Sequence, residues 1–436
     1  MIDLMGYADR VWTGQEDLRP YFSGALREDG LLPVADGVWM WAATGNVYVF
    51  RTAGGLLLFD TGDRHTSRAL HTAVRAVTQD PLHIAVFSHG HVDHVLGMDP
   101  FDQEAAERGL PRPEVIAHRH VPRRFERYVL TAGYNSAVNG RQFRAPGLKW
   151  PTVYRQPDTL YDQQLDLREA DTQVLLRHGM GETDDATMAW LPDRRILCCG
   201  DFYAWNAPNA GNPQKVQRFV AEWSQALHWM AGLGAELLLP GHGVPIAGAE
   251  RIRQTLLSSA ALLDHLQQSV LELMNGGLTL DEVLHRVRVP AEMLSKPYLR
   301  PTYDEPEFIV RNLWRRYGGW YDGDPAALRP APRAELAAEV AELAGGPQAL
   351  ARRALLLAKD GDLRLAGHLA EFAALAAAPG SAEHAEAHQA RAQVMESLAA
   401  DSPSFMAKSI YGWAASQSQA ASRGEEPGKE EAGWAP

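Results

Sequence analysis

Apolar and polar residues follow two different patterns along the chain. Over the first 250 residues, short apolar runs of strand length are separated by Gly, Pro and Asp, and amphipathic segments such as residues 65–77 lie between them. Strands that alternate with helices predict an α/β sandwich. The runs that we expect to form strands are residues 46–51, 56–59, 84–87, 115–117 and 196–199.

After residue 250 the pattern becomes helical, because Ala, Leu, Glu and Arg recur at the spacing of a helix face. Turns that contain Gly and Pro join the helical segments, which predicts stacked helical hairpins of the kind used as interaction modules. From Ala415 the chain is rich in Ser, Gln, Glu and Gly, and we expect a disordered tail. The predicted helices are residues 251–274, 280–287, 333–343, 347–359, 363–376 and 382–398.

Composition excludes several classes of protein. The 436 residues leave room for about two or three domains, and a hydrophobic content of 46% is that of a folded globular protein. The formal net charge of −12 argues against nucleic-acid binding, because such proteins need a cationic surface for the phosphates. The two cysteines, Cys198 and Cys199, are adjacent, which provides neither a disulfide framework nor a four-cysteine zinc site.

The sequence contains no obvious membrane or secretion signal. The first 22 residues include acidic side chains and no apolar run, and no segment approaches the roughly 20 apolar residues of a membrane span. We therefore expect a cytoplasmic protein without a membrane partner.

One motif dominates the candidate chemistry. Directly after the apolar run at residues 84–87 come His89, His91, Asp93 and His94. In an extended segment, residues two apart point to the same side, so His89 and His91 face one point. Three imidazoles and a carboxylate in so short a segment would repel and desolvate one another without a cation between them. Their donor atoms suit zinc, iron or manganese, and the motif therefore predicts a metal site.

This motif resembles that of the metallo-β-lactamase superfamily. The segments at residues 46–50 and 54–62, the second of which ends in Asp-Thr-Gly, are similar to the strand-turn-strand entry of that fold. The resemblance implies a four-layer αβ/βα sandwich with a two-metal site at one edge of its sheets. It also implies that Asp60 supports the site and does not bind metal.

The same resemblance implies three further ligands in chain order, each on a loop after a strand-like run. These candidates are Glu182, Asp201 and His242. His178, in the same loop as Glu182, is expected to orient that loop.

The implied assignment divides these side chains between two divalent ions. One ion is expected to bind His89, His91 and Glu182. The other is expected to bind Asp93, His94 and His242, and Asp201 is expected to bridge the two. Zinc is the expected metal, with iron or manganese as the alternatives. Asp93 and Asp201 are the candidate catalytic carboxylates.

Within the superfamily, a glutamate at position 182 is similar to the alkylsulfatase group. Residues 126–143 resemble the inserted helix of that group, and residues 223–230 also fit its pattern. The aromatic, glycine-rich segment at residues 317–325 resembles part of its dimerisation domain. The resemblance extends over roughly residues 36 to 400.

This resemblance implies a division of the chain into three parts. Residues 1–250 are expected to form the catalytic domain, residues 251–414 a helical dimerisation domain and residues 415–436 the disordered tail. The expected partners are a small-molecule substrate and a second copy of the chain, bound through the helical domain. We expect the segment at residues 317–325 to be a rigid connection that buries Trp320.

Departures from the alkylsulfatase pattern bear on the substrate. Asp201 stands where that group has glutamate, and residues 202–214 contain no cation where the group has His and Arg that handle the sulfate. Lys215 and Arg218 are the first cations after this segment. We expect no counterpart of the group's sterol-carrier-like domain. The candidate substrate-binding residues are Asn135, Arg141, Tyr203, Trp205, Asn206, Asn209 and Lys215.

The sequence thus predicts a dinuclear metal-dependent hydrolase of a small anionic ester, with a sulfate ester as the first choice. Lactone, thioester and phosphoester hydrolysis are alternatives. A di-iron oxygenase or another redox enzyme on the same fold is a further alternative. A scaffold with a structural metal is the third, although structural zinc sites are normally closed by four ligands.

Overall fold

The computed structural model describes residues 2–425. Within that range, the first sheet is formed by β1 (Leu32–Ala35), β2 (Val38–Trp41), β3 (Val47–Arg51), β4 (Leu56–Phe59), β5 (Leu82–Val86), β6 (Glu114–His118) and β7 (Thr159–Tyr161). The strands lie side by side in chain order. Neighbours from β1 to β4 are antiparallel, whereas neighbours from β4 to β7 are parallel.

The second sheet follows in the chain. Its strands are β8 (Gln164–Glu169), β9 (Thr172–Gly179), β10 (Ala186–Leu191), β11 (Ile196–Gly200), β12 (Leu237–Pro240) and β13 (Ile246–Ala247), which also lie side by side in chain order. β11 and β12 are parallel, and the other neighbours are antiparallel. Because parallel strands end at the same edge, the loops after β11 and β12 leave the sheet side by side.

The helices fall into two groups along the chain. Those of the first half are α1 (Leu4–Trp12), α2 (Arg19–Phe22), α3 (Ser67–Val77), α4 (Val92–Val95), α5 (Asp99–Glu107), α6 (Val121–Leu130), α7 (Ala132–Gln142) and α8 (Val220–Ala231). Those of the second half are α9 (Ala249–Asn275), α10 (Leu280–Arg286), α11 (Ala291–Leu294), α12 (Pro306–Gly318), α13 (Arg333–Ala344), α14 (Pro347–Lys359), α15 (Leu363–Ala376), α16 (Ala382–Asp401) and α17 (Phe405–Ser422).

The apolar runs are explained by burial on both faces of the strands. On β4, Leu57 and Phe59 pack into a core shared with the second sheet, whereas Leu56 and Leu58 pack with residues of α3 and α5. Such a strand has no solvated face, so all its positions are apolar. α8 and α9 contact β9 and β12 on the second sheet. The predicted four-layer sandwich is confirmed.

The helices of the second half pack in two different ways: the first of them join the core of the sheets, and the later ones pack against one another. Leu256 and Leu263 on α9 and Leu313 on α12 belong to the same core as the sheets. From Ala341 to Ala415, buried apolar residues form two separate clusters between the helices. The predicted all-helical second half, with its stacked hairpins, is confirmed. The core continues across residues 250 and 251, and the predicted division of the chain there stays a prediction.

Two expectations about the helical half are wrong. Residues 415–422 are not disordered but form the last turns of α17, because Ala415 and Ser418 are buried there and Arg391 donates a 2.5 Å hydrogen bond to Ser418 Oγ. The last part of the predicted tail, residues 426–436, lies outside the described residues. Trp320 is 68% exposed, since the turn that contains it lies on the surface. No helix between residues 2 and 425 is long and apolar enough to cross a bilayer, and the cytoplasmic location stays a prediction.

Candidate metal centre

The first group of candidate ligands lies beyond the end of β5. His89 and His91 occupy the loop after the strand, and Asp93 and His94 lie on the short helix α4. The imidazoles of His89 and His94 are buried. Gly45 passes so close that a Cβ at this position would lie 2.5 Å from the backbone oxygen of Asp93. The close approach of this loop therefore requires glycine there.

The other three candidates come from the second sheet. Asp201 directly follows β11 and His242 is two residues beyond β12, so the parallel pairing of these strands brings both side chains to one edge. The two loops are joined by a 2.8 Å hydrogen bond from the Gly241 amide to the Gly200 carbonyl oxygen. Glu182 lies in the turn between β9 and β10.

The seven side chains converge in two adjacent groups, and the ligand atoms within each group lie within 4.8 Å of one another. The first group is His89, His91, Glu182 and Asp201, and the second is Asp93, His94 and His242. Asp201 also contacts the second group: its Oδ1 is 3.5 Å from His94 Nε2 and its Oδ2 is 3.3 Å from His242 Nε2. Its Oδ2 is 3.6 Å from His89 Nε2. The structure thus brings all seven predicted ligands together, with Asp201 between the groups.

Two buried atoms at the junction of the groups fit a bound cation. His94 Nε2 and Asp201 Oδ1 have no hydrogen-bond partner among the described residues. A buried polar atom without a partner costs about 1–3 kcal/mol. A divalent ion between them would satisfy both, and imidazole with carboxylate is a ligand set that zinc, iron and manganese accept. The donors present therefore fit the metal that the fold implies.

Asp60 orients His94 from behind. Its Oδ2 accepts a hydrogen bond from His94 Nδ1 at 2.8 Å, and its Oδ1 accepts one from the Ser88 amide at 2.6 Å. A proton on Nδ1 leaves Nε2 of His94 free as a ligand atom. Asp60 adopts a φ of 62°, in the left-handed region, which its two hydrogen bonds hold in place. The structure places Asp60 in the supporting position expected from the sequence.

The donors change one another's protonation. Burial, together with repulsion from His94, lowers the pKa of His89 to about 4, so this imidazole is neutral at neutral pH. Burial raises the pKa of Asp201, but the imidazoles of His242 and His94 outweigh burial and hold that pKa well below its usual range. The neutral imidazole of His89 and the ionised carboxylate of Asp201 are forms that bind metal. Burial lowers the pKa values of His94 and His242, but the nearby carboxylates, that of Asp201 foremost, outweigh burial and raise both, so these two imidazoles would release a proton on binding an ion.

Glu182 is held by two residues of the loop after β11. Asn209 Nδ2 donates a hydrogen bond to Glu182 Oε1, and Arg218 Nη1 contacts the same oxygen. Glu182 Oε2 lies 4.0 Å from His91 Nδ1. Arg218 is only 3% exposed, and burial lowers its pKa to about 10, which leaves it charged at neutral pH. We predict Asn209 as a substrate residue, whereas its amide binds Glu182 in the structure.

Lys215 is the predicted substrate residue that carries a charge near the second group. Its Nζ donates a 2.5 Å hydrogen bond to Asn139 Oδ1. Burial lowers the pKa of Lys215 to about 8, while attraction to Asp93 opposes the shift, so the ammonium form predominates at neutral pH. An ammonium has three N–H donors, and the bond to Asn139 leaves two of them for another acceptor.

The other predicted substrate residues direct their polar groups to the protein itself. Tyr203 and Trp205 are buried and support the loops around the site. A substrate contact for any of these residues stays a prediction. The hydrogen bonds run from Asn135 Nδ2 to Thr131 Oγ1 (2.8 Å), from Arg141 Nη1 to Gln214 Oε1 (3.0 Å), from Tyr203 OH to the Tyr298 oxygen (3.2 Å), from Trp205 Nε1 to the Val244 oxygen (2.6 Å) and from Asn206 Nδ2 to the Ala204 oxygen (2.7 Å).

His178 lies on β9 and not in the loop with Glu182, and it is outside both groups of ligand atoms. Its Nδ1 bonds to the Ala186 carbonyl oxygen at 2.9 Å, and its ring stacks on that of His118 with centroids 3.7 Å apart. These contacts fit the expectation that His178 orients the loop.

The helical half contributes residues that the sequence did not suggest. Gln142 Nε2 donates a 2.8 Å hydrogen bond to the hydroxyl of Tyr303, and the Gly211 amide donates a 2.6 Å hydrogen bond to Asp304 Oδ2. The segment before α12 therefore binds both the end of α7 and the loop between β11 and α8, which carries Lys215. No spacing in the sequence connects residues so far apart along the chain.

Known families match both halves of the chain. Residues 41–242 match the metallo-beta-lactamase superfamily, and residues 279–420 match the alkyl sulfatase dimerisation family.

Curated relatives and a solved structure are also similar to this chain. A linear primary-alkylsulfatase from a Pseudomonas strain is 28% identical over 346 residues, which cover 73% of this chain and 64% of the relative. An (R)-specific secondary-alkylsulfatase from Pseudomonas sp. is 25% identical over 397 residues, which cover 84% of this chain and 58% of the relative. The chain thus spans less than two thirds of the length of these relatives. The structure of the stereoselective inverting sec-alkylsulfatase Pisa1 from Pseudomonas sp. superposes with a TM-score of 0.79 at 22% identity, covering 91% of this chain and 66% of that one.

Proposed function

We propose that this chain, which combines a metallo-beta-lactamase domain with an alkyl sulfatase dimerisation domain, hydrolyses alkyl sulfate esters with the help of two divalent metal ions. In this reaction, water and the ester give the alcohol and hydrogen sulfate. The observation that carries the proposal is the position of Asp201 between two groups of ligand atoms. A closed structural site needs four ligands for one ion, whereas seven donors around a shared carboxylate provide for two.

The relatives support the choice of substrate. Both curated relatives described above are named alkylsulfatases. This favours a sulfate ester over the lactone, thioester and phosphoester that the sequence also allows.

The metal ligands that we assign follow the two groups. His89, His91 and Glu182 would hold one ion, and Asp93, His94 and His242 the other, with Asp201 shared. We propose zinc as the metal, since imidazole and carboxylate suit it, and iron or manganese would use the same donors. When bound, the two ions supply Lewis acidity and activate water for attack on the ester.

Lys215 is the residue that we assign to the anionic group of the substrate. A partly buried ammonium attracts an anion more strongly than one in bulk water, because the surrounding dielectric constant is lower. Arg218 is occupied by Glu182 and Arg141 by Gln214. Lys215 therefore supplies the cation that the segment before it lacks.

The helical half fits a homodimer, which we propose as the state in solution. Apolar side chains are exposed around the turn after α12, and Trp320 is the most exposed of the aromatic ones there. Exposed apolar patches commonly mark interfaces. The other side chains of this patch are Tyr317, Tyr321 and Leu328.

The test of the proposed reaction is a substrate panel on zinc-loaded protein. We expect hydrolysis of an alkyl sulfate at rates well above those for an alkyl phosphate, a lactone and a thioester. Glu182→Gln, which removes the charge of one ligand at almost constant shape, should lose most of this activity. Turnover of the lactone or thioester without turnover of the alkyl sulfate would contradict the proposal. Tightly bound iron with dioxygen-dependent product formation would instead establish the oxygenase alternative.

A further inference from the structure

We propose that Arg218 is a positioning residue of the metal centre, which holds one carboxylate oxygen of Glu182 and balances its charge, so that only the other oxygen binds the ion. This inference rests on the proposed function, because it takes Glu182 as a metal ligand. It assigns Arg218 to the metal centre and not to the substrate.

The two oxygens of Glu182 have different neighbours. Oε1 accepts a hydrogen bond from Asn209 and contacts the guanidinium of Arg218. Oε2 faces His91, whose Nδ1 is 4.0 Å away. Because donors already occupy Oε1, Oε2 is the oxygen left for a cation shared with His91.

The burial of Arg218 indicates that the ion pair is its main function. The guanidinium side chain is 4% exposed, and that of Glu182 is 8% exposed. Asp304 attracts this guanidinium and Arg124 repels it, but Glu182 is the acidic side chain in direct contact with it. Burying a guanidinium is costly unless a carboxylate pairs with it.

This pairing has a consequence for a metal ion at the first group. Arg218 and the ion are both cations, and both are attracted to the negative charge of Glu182. The arginine therefore weakens the binding of the ion, and at the same time it leaves the ion with less charge from its ligands and more Lewis acidity. If Arg218 only held Glu182 in place, its loss would loosen the carboxylate and weaken metal binding, so the direction of the change in affinity tests whether the charge of Arg218 outweighs its orienting effect.

The experiment measures zinc binding to the full-length protein by competition with a chromophoric chelator. Arg218→Gln removes the charge, and Arg218→Lys keeps it. The matched control is Arg155→Gln, because the Arg155 side chain is only 8% exposed and pairs with Asp102 and Asp158, outside both ligand groups.

We expect Arg218→Gln to tighten the binding of one of two zinc ions by about tenfold or more, the effect of removing one nearby charge at an intermediate dielectric constant. Arg218→Lys should bind zinc nearly as the unaltered protein does, and Arg155→Gln should not differ from it. Unchanged or weaker zinc binding by folded Arg218→Gln would overturn the proposal.

Folding of the variant is informative as well. If Arg218→Gln folds only with zinc present, the proposal is supported, because the ion then replaces the missing cation beside Glu182. If it fails to fold with zinc as well as without, the proposal is overturned, because packing alone would explain the residue. Zinc is the only probe, so a protein that binds two zinc ions but does not cleave alkyl sulfates would contradict the proposed function and leave this inference standing.

Discussion

Asp60→Asn tests whether the carboxylate behind His94 determines metal affinity. Each oxygen of Asp60 accepts one hydrogen bond, from the Ser88 amide at 2.6 Å and from His94 Nδ1 at 2.8 Å. An asparagine has one acceptor oxygen and one NH2 group in the same places. The amide of Ser88 can only donate, so the NH2 group has to face His94.

His94 must then change its tautomer. With an N–H directed at Nδ1, the ring carries its own proton on Nε2, the atom that lies 3.6 Å from Asp93 Oδ2 and 3.5 Å from Asp201 Oδ1. A protonated Nε2 has no lone pair for a metal. Restoring the original tautomer sacrifices a hydrogen bond in a buried, charged setting, which costs about 1.5–3 kcal/mol. We therefore expect the ion at the second group to bind about 10- to 100-fold more weakly.

The assay is zinc titration of the full-length protein against a competing chelator. Asp60→Asn should bind one ion with unchanged affinity and the other more weakly. Asp63→Asn is the matched control, because Asp63 is also buried but accepts its hydrogen bonds from Thr66, away from both ligand groups. Two zinc ions bound with unchanged affinity by a folded Asp60→Asn protein would refute the reasoning about the tautomer.

Three further predictions concern the substrate, the loop and the assembly. Lys215→Gln should raise the KM for an alkyl sulfate about tenfold. The KM of the unaltered protein should rise above pH 8, because the ammonium of Lys215 loses its proton at a pKa of about 8. The same pH dependence of KM in the variant and in the unaltered protein would count against Lys215. Gly243→Ala should lower the free energy of unfolding by about 1–3 kcal/mol in chemical denaturation. The reason is that φ of Gly243 is +87° and the new Cβ would lie 2.5 Å from Trp205. An unchanged denaturation midpoint would contradict this prediction. Trp320→Arg should convert a sedimenting dimer into a monomer, and an intact dimer would exclude this surface.

Much of the fold and of the ligand set could be predicted from the sequence. A strand buried on both faces, such as β4, is apolar at every position. Such a run can be recognised in the sequence without knowledge of the strands and helices that pack against it. Asp201 and His242 follow apolar runs of this kind, and parallel strands deliver such residues to one edge. The local pattern thus predicts the four ligands from His89 to His94, whereas Glu182, Asp201 and His242 were expected from the resemblance to the metallo-β-lactamase superfamily. The parallel pairing of β11 and β12 explains why Asp201 and His242 reach the same edge.

The surroundings of the ligands could not be predicted in this way. The contact of Arg218 with Glu182 and the bond from Lys215 to Asn139 join loops and helices that are distant along the chain, and polar loop residues have no periodicity that indicates their partners. The end of α17 was missed for a related reason. Ser418 and its neighbours have the composition of a solvated tail, and only the packing of the helical half shows that the residue is buried.

The most direct test of the metal centre is anomalous diffraction at the zinc edge from crystals of the protein grown with zinc. We expect two peaks about 4 Å apart, one bound by His89, His91 and Glu182 and the other by Asp93, His94 and His242, with Asp201 in contact with both. A single peak, or peaks outside these seven side chains, would contradict the account.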